Sequence, residues 1–140
     1  MIQRAATSVP LRWEAVLGAL GLWSIAVPFA ATGLGMHLNV ARRLEIADHV
    51  VPGLVIAGAV ALLVIARRSS QASTWAAPTA LGIAFLAALW ITATHVPLIF
   101  QAADGRHGAP WDAAIFHSLW GPPMTAIALW LLWRELGPEA

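Results

Sequence analysis

The sequence predicts an all-α membrane protein with four transmembrane helices. Apolar residues make up 59% of the 140-residue chain and charged residues only 11%, which is far from the balance of soluble domains. The apolar residues fall into four long runs, and about 20 helical residues rising about 1.5 Å each span a hydrocarbon core of roughly 30 Å. A chain of this length has room for one domain, so residues 1–140 are expected to form a single four-helix transmembrane domain.

The first two spans are predicted at about 15–34 and about 47–66. The first run is too long for the apolar region of a signal peptide, so it is interpreted as a membrane helix. A polar connection is expected between the two spans, over residues 35–46. Pro52 is expected in the first turn of the second span, where a missing N–H has no intrahelical acceptor to lose.

The third and fourth spans are predicted at about 79–100 and about 112–133, separated by a surface loop. The fourth contains Gly121–Pro122–Pro123. Two successive prolines remove two i→i−4 hydrogen bonds and should kink or break the helix there. The backbone carbonyls freed at membrane depth need another partner. This break either opens a polar pocket or, with its carbonyls satisfied locally, only improves packing.

Small residues recur every fourth position on two of the predicted spans. Such stripes let helix backbones approach closely in lipid, so they are interpreted as packing seams. The two stripes are Gly53, Ala57 and Ala61 in the second span, and Ala80, Ala84 and Ala88 in the third.

Four spans place both termini on the same side of the membrane. Five arginines fall on that side and three on the other: Arg4, Arg12, Arg67, Arg68 and Arg134 against Arg42, Arg43 and Arg106. Because positive residues are enriched in cytoplasmic segments, this bias predicts that the termini are cytoplasmic. The expected location is a bacterial inner membrane, as a multi-pass protein.

All the histidines fall on the opposite, outer side. They are His37, His49, His95, His107 and His117. Neutral imidazole is the form that binds metal ions and haem iron. Histidines at membrane interfaces are also common simply because their rings are amphipathic.

Two kinds of cofactor site are compatible with this polar end. One is haem b bound by His49 and His117, and the other is a divalent metal ion. The candidate metal ligands are His49, His95, His117, Asp48 and Asp112. If the site is catalytic, the candidates are His117, Asp112 and His95. His37 and His107 are expected in solvated loops.

The two halves of the chain also repeat each other weakly, at an offset of 67 to 69 residues. The matched pairs are Pro28 with Pro97, His49 with His117, and Arg67 with Arg134. Each unit would hold two spans, so the units would be tandem, in parallel orientation, and related by an axis along the membrane normal.

Part of this pattern resembles a known family. Gly21–Leu22–Trp23, Pro28–Phe29, Ala47–Asp48–His49–Val50–Val51 and Gly53–Leu54 are similar to segments of the bacterial SPW-repeat membrane proteins, over about residues 13–66. The position of the family's Ser-Pro-Trp triplet reads Val27–Pro28–Phe29 here. The resemblance implies a four-helix fold and carries no established activity.

Three hypotheses for function follow. The first, which the lack of any recognised catalytic arrangement favours, is a non-catalytic accessory or assembly subunit with a histidine-rich outer pocket. The second is a haem b or metal-binding redox protein. The third is a small enzyme or carrier for a lipophilic molecule, with His117 as acid and base. The expected partners are the lipid bilayer and other membrane subunits or further copies of the chain, and no nucleic acid.

Overall fold

The chain folds into helices that make four antiparallel passes. The structure is a computed structural model that describes residues 12–36, 41–69, 73–105 and 110–137. Its helices are α1 (Arg12–Leu34), α2 (Arg42–Arg68), α3 (Ala76–Ala103), α4 (Trp111–Ser118) and α5 (Gly121–Leu136). Four passes are long and apolar enough to cross a membrane, with α4 and α5 together forming the fourth. The predicted all-α fold with four spans is therefore confirmed.

The second helix differs from its predicted bounds. It begins at Arg42 rather than near residue 47, so part of the expected connection over 35–46 is helical. Glu45 in its first turn suits the positive end of the helix dipole. Pro52 consequently lies well inside α2 and not in its first turn, which corrects the prediction. The helix continues through it, as membrane helices often do.

The double proline breaks the fourth pass as the sequence predicted. α4 ends at Ser118, a turn covers Leu119 and Trp120, and α5 begins at Gly121. Prolines 122 and 123 then fall in the first turn of α5. The N–H groups of a first turn have no intrahelical acceptor, so proline is tolerated there.

Helices adjacent in sequence pack side by side, and α1 closes the ring against α5. The interior is filled by apolar side chains that are almost fully buried. They include Leu17, Ile56, Leu63, Leu81, Ile91, Met124 and Leu131. Large apolar side chains such as Leu62, Ile65 and Leu86 face outward and are more than half exposed. An apolar exterior of this kind is suited to lipid.

Small residues set the distances between helices. A Cβ atom built on Gly53 would lie 2.7 Å from the carbonyl oxygen of Gly21, so α1 and α2 touch through their backbones here. The α3 stripe of Ala80, Ala84 and Ala88 is buried and packs in the core, as expected. In the α2 stripe Ala61 is exposed, because the inward face of α2 runs through Ile56 and Leu63 instead.

Candidate metal centre

Three histidines from three helices meet inside the bundle. His49 comes from α2, His95 from α3 and His117 from α4, and their relative exposures are 1%, 4% and 0%. α2 and α4 stand on opposite sides of the ring of helices, so the three side chains meet across its interior. At about 1.5 Å per residue, His49 and His95 lie about 10–12 Å along their helices from the nearer end, and His117 lies about 9 Å from the start of α4. We refer to these residues as the histidine cluster.

The rings of the histidine cluster are in direct contact. Nε2 of His49 lies 3.0 Å from Nδ1 of His117, within hydrogen-bond distance. The ring centroids of His49 and His95 are 4.2 Å apart, and the rings of His95 and His117 are nearly parallel at 6.3 Å. One nitrogen from each ring lies within 4.8 Å of the other two. Three ligand atoms therefore face a common point.

The backbone fixes the orientation of His95. Its Nδ1 lies 3.0 Å from the carbonyl oxygen of Ile91, one turn earlier in α3. Since a carbonyl only accepts, Nδ1 must carry the proton and donate. The hydroxyl of Thr94 lies 2.8 Å from the same nitrogen. His95 is thereby held with Nε2 as its unprotonated, ligand-competent nitrogen.

A carboxylate orients His117 in a similar way. Oε1 of Glu45 lies 3.4 Å from Nε2 of His117, and the main-chain carbonyl of Met36 lies beside the same ring. Both groups accept, so they favour a proton on Nε2 and leave Nδ1 unprotonated toward His49. A metal-ligating histidine is commonly oriented by a carboxylate or carbonyl on its far nitrogen. His95 has this arrangement through a hydrogen bond, whereas Nε2 of His117 faces Glu45 at 3.4 Å without a hydrogen bond to the described residues.

His49 is held less completely. Ser24 of α1 donates a hydrogen bond of 3.2 Å to its main-chain carbonyl, which fixes the backbone. Its Nε2 contacts His117, but its buried Nδ1 has no hydrogen-bond partner among the described residues. Buried polar atoms are nearly always paired. Nε2 of His117 likewise has no hydrogen-bond partner among the described residues.

The helix break places His117 against α3. A Cβ atom on Gly121 would lie 2.8 Å from Oγ1 and 2.9 Å from Cα of Thr92, so only glycine allows this approach. Beside it, the hydroxyls of Thr92 and Thr125 are 2.8 Å apart. Ser118 donates a 2.6 Å hydrogen bond to the main-chain carbonyl of His95. These contacts join α4 and α5 to α3 on both sides of the break.

The structure brings together three of the five predicted metal ligands. Asp48 and Asp112 lie outside the histidine cluster: Asp48 accepts a 3.4 Å hydrogen bond from the indole of Trp90, and Asp112 is exposed and accepts from the N–H of Ala113 at 2.9 Å. Neither aspartate shares a helix face with the histidine of its own helix. Asp48 is one residue from His49, which is about 100° around the helix axis, and Asp112 is five residues from His117, which is about 140°. Asp112 thus does not join His117 and His95 as a catalytic candidate.

Three further residues remain: the two other histidines and Glu45. Predictions for His37 and His107 lie outside the described residues. Glu45, by contrast, is 9% exposed and contacts His117, although the sequence analysis had placed it in a connection. A usable signal existed, since Glu45 precedes His49 by four residues and positions four apart share a helix face.

The opposite end of the bundle holds a second polar group. Arg67 of α2 donates to Glu14 of α1 and, at 2.9 Å, to Glu135 of α5. The side chain of Glu14 is 1% exposed, whereas those of Arg67 and Glu135 are 31% and 30% exposed. We refer to these three residues as the ion-pair cluster. The sequence analysis had used Arg67 only in the arginine count for topology and in the internal repeat.

The geometry of the histidine cluster favours a single ion over haem b. Two axial ligands of a haem are separated by two metal–nitrogen bonds of about 2 Å each, with a flat macrocycle between the rings. His49 and His117 are instead 3.0 Å apart and in contact. The ring of His95 lies against that of His49, in the space that a macrocycle would need.

Two depressions in the bundle lie away from the histidine cluster. The two best-formed depressions, of about 230 and 240 Å³, lie toward the end of the bundle that holds the termini. One is lined by residues that include Trp75 and Glu135, and the other by Trp13, Ile127 and Trp130 among others. The expected pocket for a lipophilic molecule at His117 stays a prediction.

Comparisons with protein-family models, with curated proteins and with solved structures gave no match to this chain. The resemblance to SPW-repeat proteins accordingly stays a prediction. The descriptions of the four-helix fold and of the histidine cluster therefore depend only on the sequence and structure of this chain.

Proposed function

We propose that this protein is an integral membrane protein that binds one divalent first-row transition-metal ion through His49, His95 and His117. The observation that carries the proposal is the convergence of three buried imidazole nitrogens within 4.8 Å of one another. Imidazole is a good ligand for zinc, copper, iron and nickel. Contacts among three neutral imidazole rings contribute little stabilisation, whereas a metal ion could coordinate all three rings at once.

The distances in the cluster need only small adjustments to hold an ion. Metal–nitrogen bonds of about 2.0–2.1 Å in a tetrahedral site place ligand nitrogens about 3.3 Å apart. His49 and His117 are already at 3.0 Å, and no pair exceeds 4.8 Å. Closing the widest pair takes a movement of about 1.5 Å or less, which side-chain rotation supplies.

The hydrogen bonds around the cluster assign the ligand atoms. His95 would bind through Nε2 because Nδ1 is held by the Ile91 carbonyl. His117 would bind through Nδ1 because its Nε2 faces Glu45. His49 would bind through Nε2, which now contacts His117. On binding, the ion replaces the hydrogen bond between His49 and His117 as the link between α2 and α4.

We place the protein in a bacterial inner membrane with its termini in the cytoplasm and the histidine cluster near the outer surface. The support is the excess of arginine on the side of the termini, five residues against three. A reporter fused at Ala140 tests this, since only one active in the cytoplasm should give a signal. A role as an accessory subunit is compatible with ion binding, and co-purification of larger partners would support it.

The decisive experiment is metal binding by the full-length protein purified in detergent. We expect one Co²⁺ per chain, with the intense visible absorption typical of a tetrahedral site, and one Zn²⁺ per chain by elemental analysis. His49→Gln, His95→Gln and His117→Gln should each weaken binding by more than about 100-fold, because loss of an oriented group beyond the ligands already lowers affinity by about 10- to 100-fold.

His107→Gln makes the same substitution at a predicted loop histidine and should leave binding intact. Circular dichroism and gel filtration would establish that each variant is folded. The proposal fails if the wild-type protein binds no ion stoichiometrically, or if folded variants at His49, His95 and His117 bind as tightly as the wild type.

A further inference from the structure

The histidine cluster offers three ligands, whereas zinc and cobalt in protein sites usually take four. The described polar side chains around it are already engaged elsewhere. Ser24 and Ser118 donate to the main-chain carbonyls of His49 and His95. Thr94 is bonded within its own helix and to Nδ1 of His95, the nitrogen facing away from the site. None of these three hydroxyls can ligate an ion without breaking a bond it makes now.

The two nearby aspartates are no better placed. Asp48 is bonded to Trp90 at the surface of α3, and Asp112 accepts from the N–H of Ala113 at the start of α4. Both are therefore committed outside the cluster.

Glu45 also lies on the wrong side to be the fourth ligand. Its Oε1 is 3.4 Å from Nε2 of His117, whereas Nδ1 of that ring faces His49. The two nitrogens lie on different edges of the imidazole, so the carboxylate is behind the ring as seen from the ion. Glu45 is a positioning residue that acts through His117.

We infer that the bound ion keeps its fourth coordination position open to one small exogenous monoanion. This inference rests on the proposed function. A divalent ion with three neutral imidazoles carries its full charge into an apolar interior, where an unneutralised charge is costly. A monoanion lowers that charge directly at the ion. Sites with three histidines and an open position are those in which metal ions bind exchangeable ligands.

Packing limits the size of that ligand. The three rings are 0–4% exposed and their centroids are only 4.2–6.3 Å apart. A linear ion of three atoms can enter such a site by small side-chain movements, whereas a ring the size of imidazole would have to displace a helix. The class of ligand is therefore a small linear or monatomic anion.

Azide added to the Co²⁺-loaded full-length protein tests the inference. We expect a shift of the visible bands that saturates at one azide per ion, and no shift with an equal concentration of free 4-methylimidazole. Cobalt binding that is unaffected by azide would overturn this inference alone. Failure to bind cobalt would overturn the proposed function as well, so the two failures are distinguishable.

Two variants test whether a histidine outside the described residues supplies the fourth ligand. His37→Gln and His107→Gln should leave both the cobalt spectrum and the azide shift unchanged. If either substitution altered the spectrum of the azide-free protein, that histidine would be the fourth ligand and the position would not be open. A shift that persists in both variants supports the open position.

Discussion

The two polar clusters of this bundle differ in both burial and chemistry: the three histidines are 0–4% exposed, whereas Arg67 and Glu135 are each about 30% exposed. At one end Arg67 joins Glu14 and Glu135 of two other helices, and opposite charges meet directly. At the other end three imidazoles face one another, and Nδ1 of His49 has no partner among the described residues. The charges of the ion-pair cluster pair with one another, whereas we propose that the histidine cluster takes a further group. Under that proposal, the first cluster holds helices together and the second binds a ligand.

Removing one partner of the ion-pair cluster should lower the stability of the bundle much more than removing both partners together. Arg67→Met leaves the buried carboxylate of Glu14 unpaired, which should lower the free energy of unfolding by about 3–5 kcal/mol. Denaturation of the detergent-solubilised protein by sodium dodecyl sulfate measures this loss. Cobalt binding at the far end should remain within about threefold of wild type, because well-separated sites are close to additive.

Arg68→Met provides the matched control, since Arg68 is the exposed neighbour of Arg67 on the same helix. The double variant Glu14→Leu/Arg67→Met should recover most of the lost stability, because it removes both charges. If Arg67→Met were as stable as wild type, the ion-pair cluster would not hold the helices as described.

Gly121→Ala should disturb the histidine end through the backbone. The added methyl group would lie 2.8 Å from Oγ1 of Thr92, so α3 and α5 must separate. Such overpacking typically lowers stability by about 1–3 kcal/mol. Because His95 and His117 lie on the two sides of this contact, cobalt affinity should fall as well. Gly58→Ala is the control: its methyl group would have no atom within 4 Å, so neither stability nor cobalt affinity should change.

Glu45→Gln should weaken metal binding without removing a ligand. The amide loses the negative charge that orients His117, and loss of such a group lowers affinity by about 10-fold or more. Competition with a coloured chelator measures the change. Asp48→Asn removes an acid three residues away that lies outside the cluster, and it should leave affinity unchanged. Equal effects of the two substitutions would contradict the positioning role of Glu45.

Glu135→Gln should have the smallest effect of the series. Its side chain is 30% exposed and its partner Arg67 keeps the bond to Glu14. Exposed ion pairs contribute less than about 1 kcal/mol, so the denaturation midpoint should move only slightly. A loss as large as that of Arg67→Met would mean that both carboxylates share the guanidinium equally.

The sequence predicts the large features of this molecule well because they depend on local rules. Run length and composition give four membrane-length helices, and successive prolines give the break before Gly121. The weak internal repeat pairs His49 with His117, and in the structure these two rings are in contact at 3.0 Å.

The features that the sequence did not predict depend on which face of each helix turns toward the interior of the bundle. In a membrane both the interior and the lipid-facing sides are apolar, so periodicity does not identify the inward face. The sequence analysis therefore included Ala61 in a packing seam, although it is exposed. It also included Asp48 and Asp112 among the ligands and overlooked Glu45. Contacts such as Glu14 with Arg67 join positions 53 residues apart, which no local pattern reports.

The distribution of these contacts along the chain has a consequence for membrane insertion. Glu14 is in the first helix and Arg67 in the second, so the first helical hairpin to be synthesised already contains a partner for its own buried acid. An acid alone in a membrane is strongly unfavourable, and this pairing lets the hairpin enter lipid before the rest of the chain is made. The histidines come from three successive passes, the last of which is α4. The three imidazoles can therefore meet only after α4 has been synthesised.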